Sequence, residues 1–129
     1  MSPTLANHQI GCGIDVVELA RFRTSARRGG AAFMRRVFTP QELAYAKARP
    51  RTTWLHLAAR FAAKEAVIKA LSQLSPKTIV AMRQIEICND RIGRPRAVIH
   101  QPALRRMQIH VSLSHVDSVA VATAIATAS

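Results

Sequence analysis

The last strand-like stretch of the chain constrains the fold more than any other. Val119, Val121, Thr123, Ile125 and Thr127 alternate with Ala120, Ala122, Ala124, Ala126 and Ala128. A period of two with β-branched residues on one row outweighs the helix propensity of the alanines, so a strand is predicted. The alanine row leaves the opposite face flat, and a helix or a second sheet can approach it closely. Upstream, Gln108-Ile-His110-Val-Ser112-Leu-Ser114-His115 predicts another strand. It carries His110, Ser112 and Ser114 on one face and His115 at its end. The two strands are expected to pair as a hairpin around Asp117.

The longest helix is predicted over roughly 54–73. Thr52 or Thr53 is placed to cap it and Ser75-Pro76 to stop it. Within it, Arg60-Phe-Ala-Ala-Lys64-Glu65-Ala-Val-Ile-Lys69-Ala-Leu71 is rich in helix formers and free of Gly and Pro. At 100° per residue, Ala58, Phe61, Glu65, Ile68 and Ser72 form one stripe with Lys69 on its flank. That stripe reads as core-facing, which puts a carboxylate in apolar surroundings where it needs a cation. Lys69, four residues on, is suitably spaced to serve. A structural ion pair and a functional carboxylate are both open at this point.

Residues 8–17 read as a strand with two glycines, and Asp15 interrupts its Ile-Val-Val run. Asp15 is either a cap for the following helix or a buried metal-binding or hydrogen-bonded group, since Asp is poor in strands. A short helix opening at Glu18 is expected to break near Gly29-Gly30 and to resume from Ala31 to Val37. Thr39-Pro40-Gln41-Glu42 then has the pattern of a capping box with Pro at the first helical position. Residues 83–88 alternate as a strand, 89–95 form a turn segment into Ala97-Val-Ile99, and 101–106 suggest a short helix. The whole of 1–129 reads as one domain.

Nineteen Lys and Arg oppose seven Asp and Glu, giving a formal charge of +12, and fifteen of the nineteen are Arg. Such a surface calls for a polyanionic partner, and Arg favours forked contacts to phosphate or carboxylate oxygens. The excess is concentrated between Val17 and Arg51. With one Tyr and one Trp, the chain lacks the aromatic interleaving of single-strand binders. There is no basic n-region with an apolar run at the start, so no signal peptide is expected, and no window suits a membrane span. Cys12 and Cys88 are far apart and fit no metal-ligand spacing.

Three pieces stand in order: Gly13-Ile-Asp15-Val-Val-Glu18, Arg60-Phe-Ala-Ala-Lys64-Glu65-Ala and His110-Val-Ser-Leu-Ser-His115. Together they resemble the holo-acyl-carrier-protein synthase family of 4'-phosphopantetheinyl transferases. Phe38-Thr-Pro-Gln-Glu42 and the turn from Asn89-Asp90 to Gly93-Arg-Pro95 are similar to that family as well. The resemblance implies an α+β fold, with an antiparallel sheet packed against a long central helix. It implies transfer of the 4'-phosphopantetheine arm of coenzyme A to a serine of apo acyl carrier protein, with Mg2+ as cofactor. Adenosine 3',5'-bisphosphate is released, in fatty acid or polyketide biosynthesis.

By the same resemblance, Asp15 and Glu65 hold the metal, and Glu65 and Lys69 act in catalysis. Arg60, Lys64, Lys69, His110 and His115 bind the coenzyme's phosphates, and Arg21, Arg23, Arg27 and Arg28 meet the acidic carrier. A cytoplasmic homotrimer with active sites between subunits is expected, without nucleic-acid or membrane partners. The competing readings are a basic nucleic-acid-binding domain and a catalytically silent assembly module of the same fold. Turnover of coenzyme A separates both from the enzyme.

Overall fold

A computed structural model describes residues 9–128. The N-terminal residues Met1 to His8, on which the signal-peptide expectation and the first residue of the expected strand fall, lie outside them. Five strands and three α-helices follow in the order β1 (Gln9–Glu18), α1 (Leu19–Val37), α2 (Pro40–Lys47), α3 (Thr53–Leu74), β2 (Ile85–Asn89), β3 (Pro95–Ile99), β4 (Gln108–His115) and β5 (Val119–Ala128). One antiparallel sheet has the order β1-β5-β4, and β2 and β3 form a separate antiparallel pair. The fold is α+β, as expected, with α3 lying across the larger sheet.

The hairpin is present: β4 pairs with β5 from Gln108 opposite Thr127 to His115 opposite Ala120. β1 joins the other edge of β5, from Gln9 opposite Ala128 to Glu18 opposite Val119. Ala120, Ala122, Ala124 and Ala126 are all buried, whereas Ile125 on the opposite row is exposed. Small side chains meet small ones at this seam, because α3 contributes Ala58, Ala59, Ala62, Ala63, Ala66 and Ala70 to the same core. Close approach, rather than large side-chain volume, is how this core excludes water.

β1 takes that approach to its limit. A methyl group added at Gly13 would lie 2.0 Å from the backbone oxygen of Ala66, and one at Gly11 would lie 2.1 Å from that of Ala70. Neither oxygen can move without distorting α3. Gly13→Ala should therefore lower stability by at least the ~1–3 kcal/mol typical of overpacking. It should also reduce activity per folded molecule, because Asp15 shares the α3-facing side of β1 with Gly13. Denaturant melts paired with turnover check both parts, and a variant with wild-type stability would refute the close contact.

The expected break in α1 is found at Gly30, whose φ of 60° and ψ of −153° are open to glycine and strained for other residues. The capping box of α2 is also present: Thr39 Oγ1 accepts from the Glu42 amide and the Glu42 carboxylate accepts from the Thr39 amide. The expected cap of α3 differs. Thr52 occupies the cap position without a side-chain hydrogen bond, and Thr53 Oγ1 donates to the carbonyls of Ala46 and Arg49 instead. The short helix expected at 101–106 is a single 3-10 turn at Pro102–Leu104.

One expectation about α3 is corrected. Of the expected stripe, only Ala58 is fully buried; Phe61, Glu65 and Ile68 are half-buried at the open edge of the helix, and Ser72 and the flanking Lys69 are exposed. Nearly every other position from Leu57 to Leu71 is buried. A helix that is apolar almost all round offers no single contrasting face, so periodicity cannot choose which side meets the core.

Candidate active site

The contact between β1 and α3 creates the first cluster. Lys69 Nζ lies 3.3 Å from Asp15 Oδ1 and donates to the Ile14 carbonyl at 2.9 Å. Of the two readings left open for Lys69, a pair with Glu65 on its own helix is not the contact formed: its ammonium reaches across to β1. Asp15 is therefore not a helix cap: it sits inside the strand, held against α3 by this ion pair. Its side chain retains 18% of its exposure and that of Lys69 retains 53%, so the pair faces an opening rather than the core.

Glu65 is left short of positive charge. Its pKa is raised, first by partial burial and then by the negative charge of Asp15, with Lys69 offsetting only part. Two neighbouring carboxylates that share one ammonium are a deficient arrangement for stability and a suitable one for a cation. Among the described residues no third His, Cys, Asp or Glu completes a group of three. Two hard oxygen donors with room for further oxygen ligands suit Mg2+, which keeps waters and takes substrate phosphate oxygens, better than they suit Zn2+.

A second cluster lines an open cleft of about 730 Å³. It brings Arg60, His110 and His115 together, without Lys64 or Lys69 of the expected set, and adds Tyr45, His56, Arg94 and Arg96. Arg60 is buried, and its Nε has no hydrogen-bond partner among the described residues. Burial lowers its pKa, against which Tyr45 and Glu42 act, and an arginine nonetheless stays charged at neutral pH. A buried guanidinium in the wall of a cleft suits an anionic ligand. Its guanidinium carbon lies 4.0 Å from the centroid of the Tyr45 ring, and that of Arg49 lies 3.5 Å from it. The phenol of Tyr45 accepts from Asn89 Nδ2 at 2.9 Å, which fixes the ring these cations rest on.

His56 and Tyr45 were not singled out from the sequence. The available signal was spacing, since His56 precedes Arg60 by one helical turn. Burial and the charges of Arg60, Arg49 and His115 lower the His56 pKa, keeping the ring neutral around pH 7. A neutral imidazole there presents a hydrogen-bond donor and an acceptor to the cleft.

Lys64 is the second correction. It was expected to contact phosphate, yet its side chain is completely buried. Nζ lies 2.5 Å from Glu42 Oε1 and donates to the carbonyls of Val37 at 2.6 Å and Met82 at 3.1 Å. All three ammonium protons are therefore committed inside the protein. Glu42 Oε2 accepts from the Ile87 amide as well, so one buried pair ties α1, α2, α3 and β2 together.

The cleft lining includes neither Asp15, Glu65 nor Lys69. Lys69 borders a different hollow, with Gly13, Ile14, Ser72, Thr123 and Ile125. Apart from Lys64, the residues expected at the metal and the coenzyme thus form two groups within one chain. Arg21, Arg23, Arg27 and Arg28 are elsewhere again, exposed on the first part of α1, where Arg21 makes a loose 3.9 Å contact with Glu18.

Residues 11–124 match the model of the 4'-phosphopantetheinyl transferase superfamily. The chain is 40% identical over 114 residues to a holo-[acyl-carrier-protein] synthase of Chlorobaculum parvum, covering 88% of this chain and 94% of that one. It is 42% identical over 119 residues to the synthase of Moorella thermoacetica, covering 88% and 90%. Among solved structures it is similar to a Chronobacterium ammoniagenes ACPS–CoA complex, with a TM-score of 0.81 at 29% identity over 94% of this chain and 98% of that one. The acyl carrier protein synthase of Mycobacterium tuberculosis superposes with a TM-score of 0.72 at 38% identity, covering 94% and 100%.

Proposed function

We propose a specific reaction for this chain, which belongs to the 4'-phosphopantetheinyl transferase superfamily and is a phosphopantetheinyl transferase enzyme. It transfers the 4'-phosphopantetheine arm of coenzyme A to a serine hydroxyl of an apo acyl carrier protein. The serine oxygen forms a bond to the β-phosphorus of the coenzyme, the phosphoanhydride bond breaks, and adenosine 3',5'-bisphosphate leaves. The observation that carries the reading is the cation-deficient pair Asp15 and Glu65, with Lys69 beside it, at the open edge of α3.

In phosphoryl transfer the protein mainly positions the reactants and stabilises charge. Asp15 and Glu65 would hold Mg2+, which supplies charge neutralisation of the pyrophosphate when bound. Lys69 is half-exposed and anchored to β1, so its ammonium is aimed beside the carboxylates, where it contacts phosphate oxygens and steadies the departing bisphosphate. A water held near Glu65 takes the serine proton. Arg60 lines the open cleft with His110 and His115, and its guanidinium would take a phosphate of the coenzyme there.

The two groups of residues lie apart in one chain, and the outer face of the larger sheet exposes Ile10, Ile14, Val16 and Ile125. Both features favour an assembly that covers the apolar face and joins one subunit's carboxylates to another's cleft, and the homotrimer implied by the family resemblance would do both. No helix among the described residues is long and apolar enough to cross a membrane. The acidic carrier would dock on Arg21, Arg23, Arg27 and Arg28, and the pathway served would be fatty acid or polyketide synthesis.

Purified protein with coenzyme A, Mg2+ and apo carrier should yield a carrier about 340 Da heavier, the mass of the transferred arm. Mass spectrometry of the intact carrier reads this directly. No mass gain with any of several carriers would overturn the reading, and salt-sensitive nucleic-acid binding in its place would favour the basic-domain alternative.

A further inference from the structure

Trp54 is the only tryptophan in the chain. It lies in the first turn of α3, half-buried beneath α1. The guanidinium carbons of Arg23 and Arg27 lie 5.6 and 5.9 Å from its ring centroid. Four residues apart on one helix, these arginines repel each other, and neither has an ion-pair partner among the described residues. The ring is the feature that gathers them: its negative face attracts both cations without neutralising either. Both side chains remain exposed, so each keeps its outward N–H groups for a partner.

We propose that Trp54 is a positioning residue for carrier docking, presenting Arg23 and Arg27 as a preset pair to two carboxylates of the incoming protein. The inference rests on the reading of the chain as a carrier-modifying transferase. A free arginine side chain gives up considerable rotamer freedom when it binds, and an arginine already drawn towards an aromatic ring has less left to lose. The ring therefore strengthens docking without touching the carrier. The alternative is that Trp54 only packs on Phe22, whose ring lies edge-on to it with centroids 6.3 Å apart.

Steady-state kinetics with each substrate varied in turn distinguish these roles. Trp54→Met retains apolar bulk against Phe22 but removes the π face. It should raise KM for the carrier about threefold to tenfold, leaving kcat and KM for coenzyme A unchanged. Trp54→Phe keeps a ring and should stay within about twofold of wild type. In an Arg23→Ala/Arg27→Ala background, Trp54→Met should have no further effect on carrier KM, since the groups it acts through are gone. An unchanged carrier KM, or an effect that simply adds to the arginine double variant, would overturn the proposal and leave Trp54 as a packing residue. A general loss shared by both substrates and accompanied by a lower melting temperature would do the same. If the wild-type protein modifies no carrier, the transferase reading fails first and this inference with it.

Discussion

Lys64→Met should melt about 10–20 °C below the wild-type protein, reflecting a loss of about 3–5 kcal/mol. Methionine fills much of the volume of the lysine stem, so packing is largely kept and the missing charge is isolated. What remains is the Glu42 carboxylate, 1% exposed, without its cation, and the carbonyls of Val37 and Met82 without their donor. Breaking a buried pair is costly because the surviving charge cannot return to water. Burial works against the ammonium, and its pKa is lowered on that account, with the Glu42 charge opposing the shift. The folded structure keeps Lys64 charged because Glu42 is there. Had Lys64 been a phosphate contact, the same variant would retain its melting temperature and show a raised KM for coenzyme A. Calorimetric melts and that KM decide between the two roles, and a Tm within a few degrees of wild type would sink the structural one.

The two corrections on α3 share a cause. Lys64 and Glu42 are 22 residues apart, and nothing near either residue announces the other. The capping box that contains Glu42 was legible because its partners are three residues away, but its second task at Lys64 and Ile87 appears only when four elements dock. The same distinction runs through the rest of the chain. The Val–Ala alternation of β5, the break at Gly30 and the hairpin at 108–128 follow from local pattern, and the structure contains all three. The rotation of α3 does not follow from local pattern, because alanines surround most of it and each side is an acceptable core face. Once β1 and β5 take the alanine-rich sides, the stripe bearing Glu65 becomes the edge. The glycines of β1 carried a signal for this. Two of them at alternate positions leave one face of the strand without side chains, and that is the face α3 occupies. The approach of Arg23 and Arg27 to Trp54 likewise depends on how α1 crosses the start of α3, which no spacing encodes.

Glu65→Gln should lower turnover about 100- to 1000-fold, as loss of one electrostatic contact to the reacting centre commonly does, while leaving thermal stability equal to or above wild type. The second half follows from the direction of the Glu65 pKa. A carboxyl whose pKa is raised on folding is one whose charge the folded state disfavours, so stability falls as pH rises from the unfolded value past the folded one. Near neutral pH without metal, Glu65 is on the unfavourable side of that window. An isosteric neutral amide removes the repulsion from Asp15 and gives the single ammonium of Lys69 to Asp15 alone. A structural ion pair predicts the reverse, a variant of reduced stability whose remaining folded molecules work normally. Mg2+ should widen the difference. It should raise the melting temperature of the wild-type protein, because two carboxylates that disfavour each other gain a shared cation, and it should have little effect on Glu65→Gln. Thermal melts with and without Mg2+ therefore test the metal site independently of catalysis. Equal Mg2+ shifts in both proteins would remove Glu65 from the site, and lower stability with intact turnover would return it to a purely structural role. Carboxylates retained at the cost of stability are a mark of function, and the placement of Glu65 beside Asp15 at an open edge has that character.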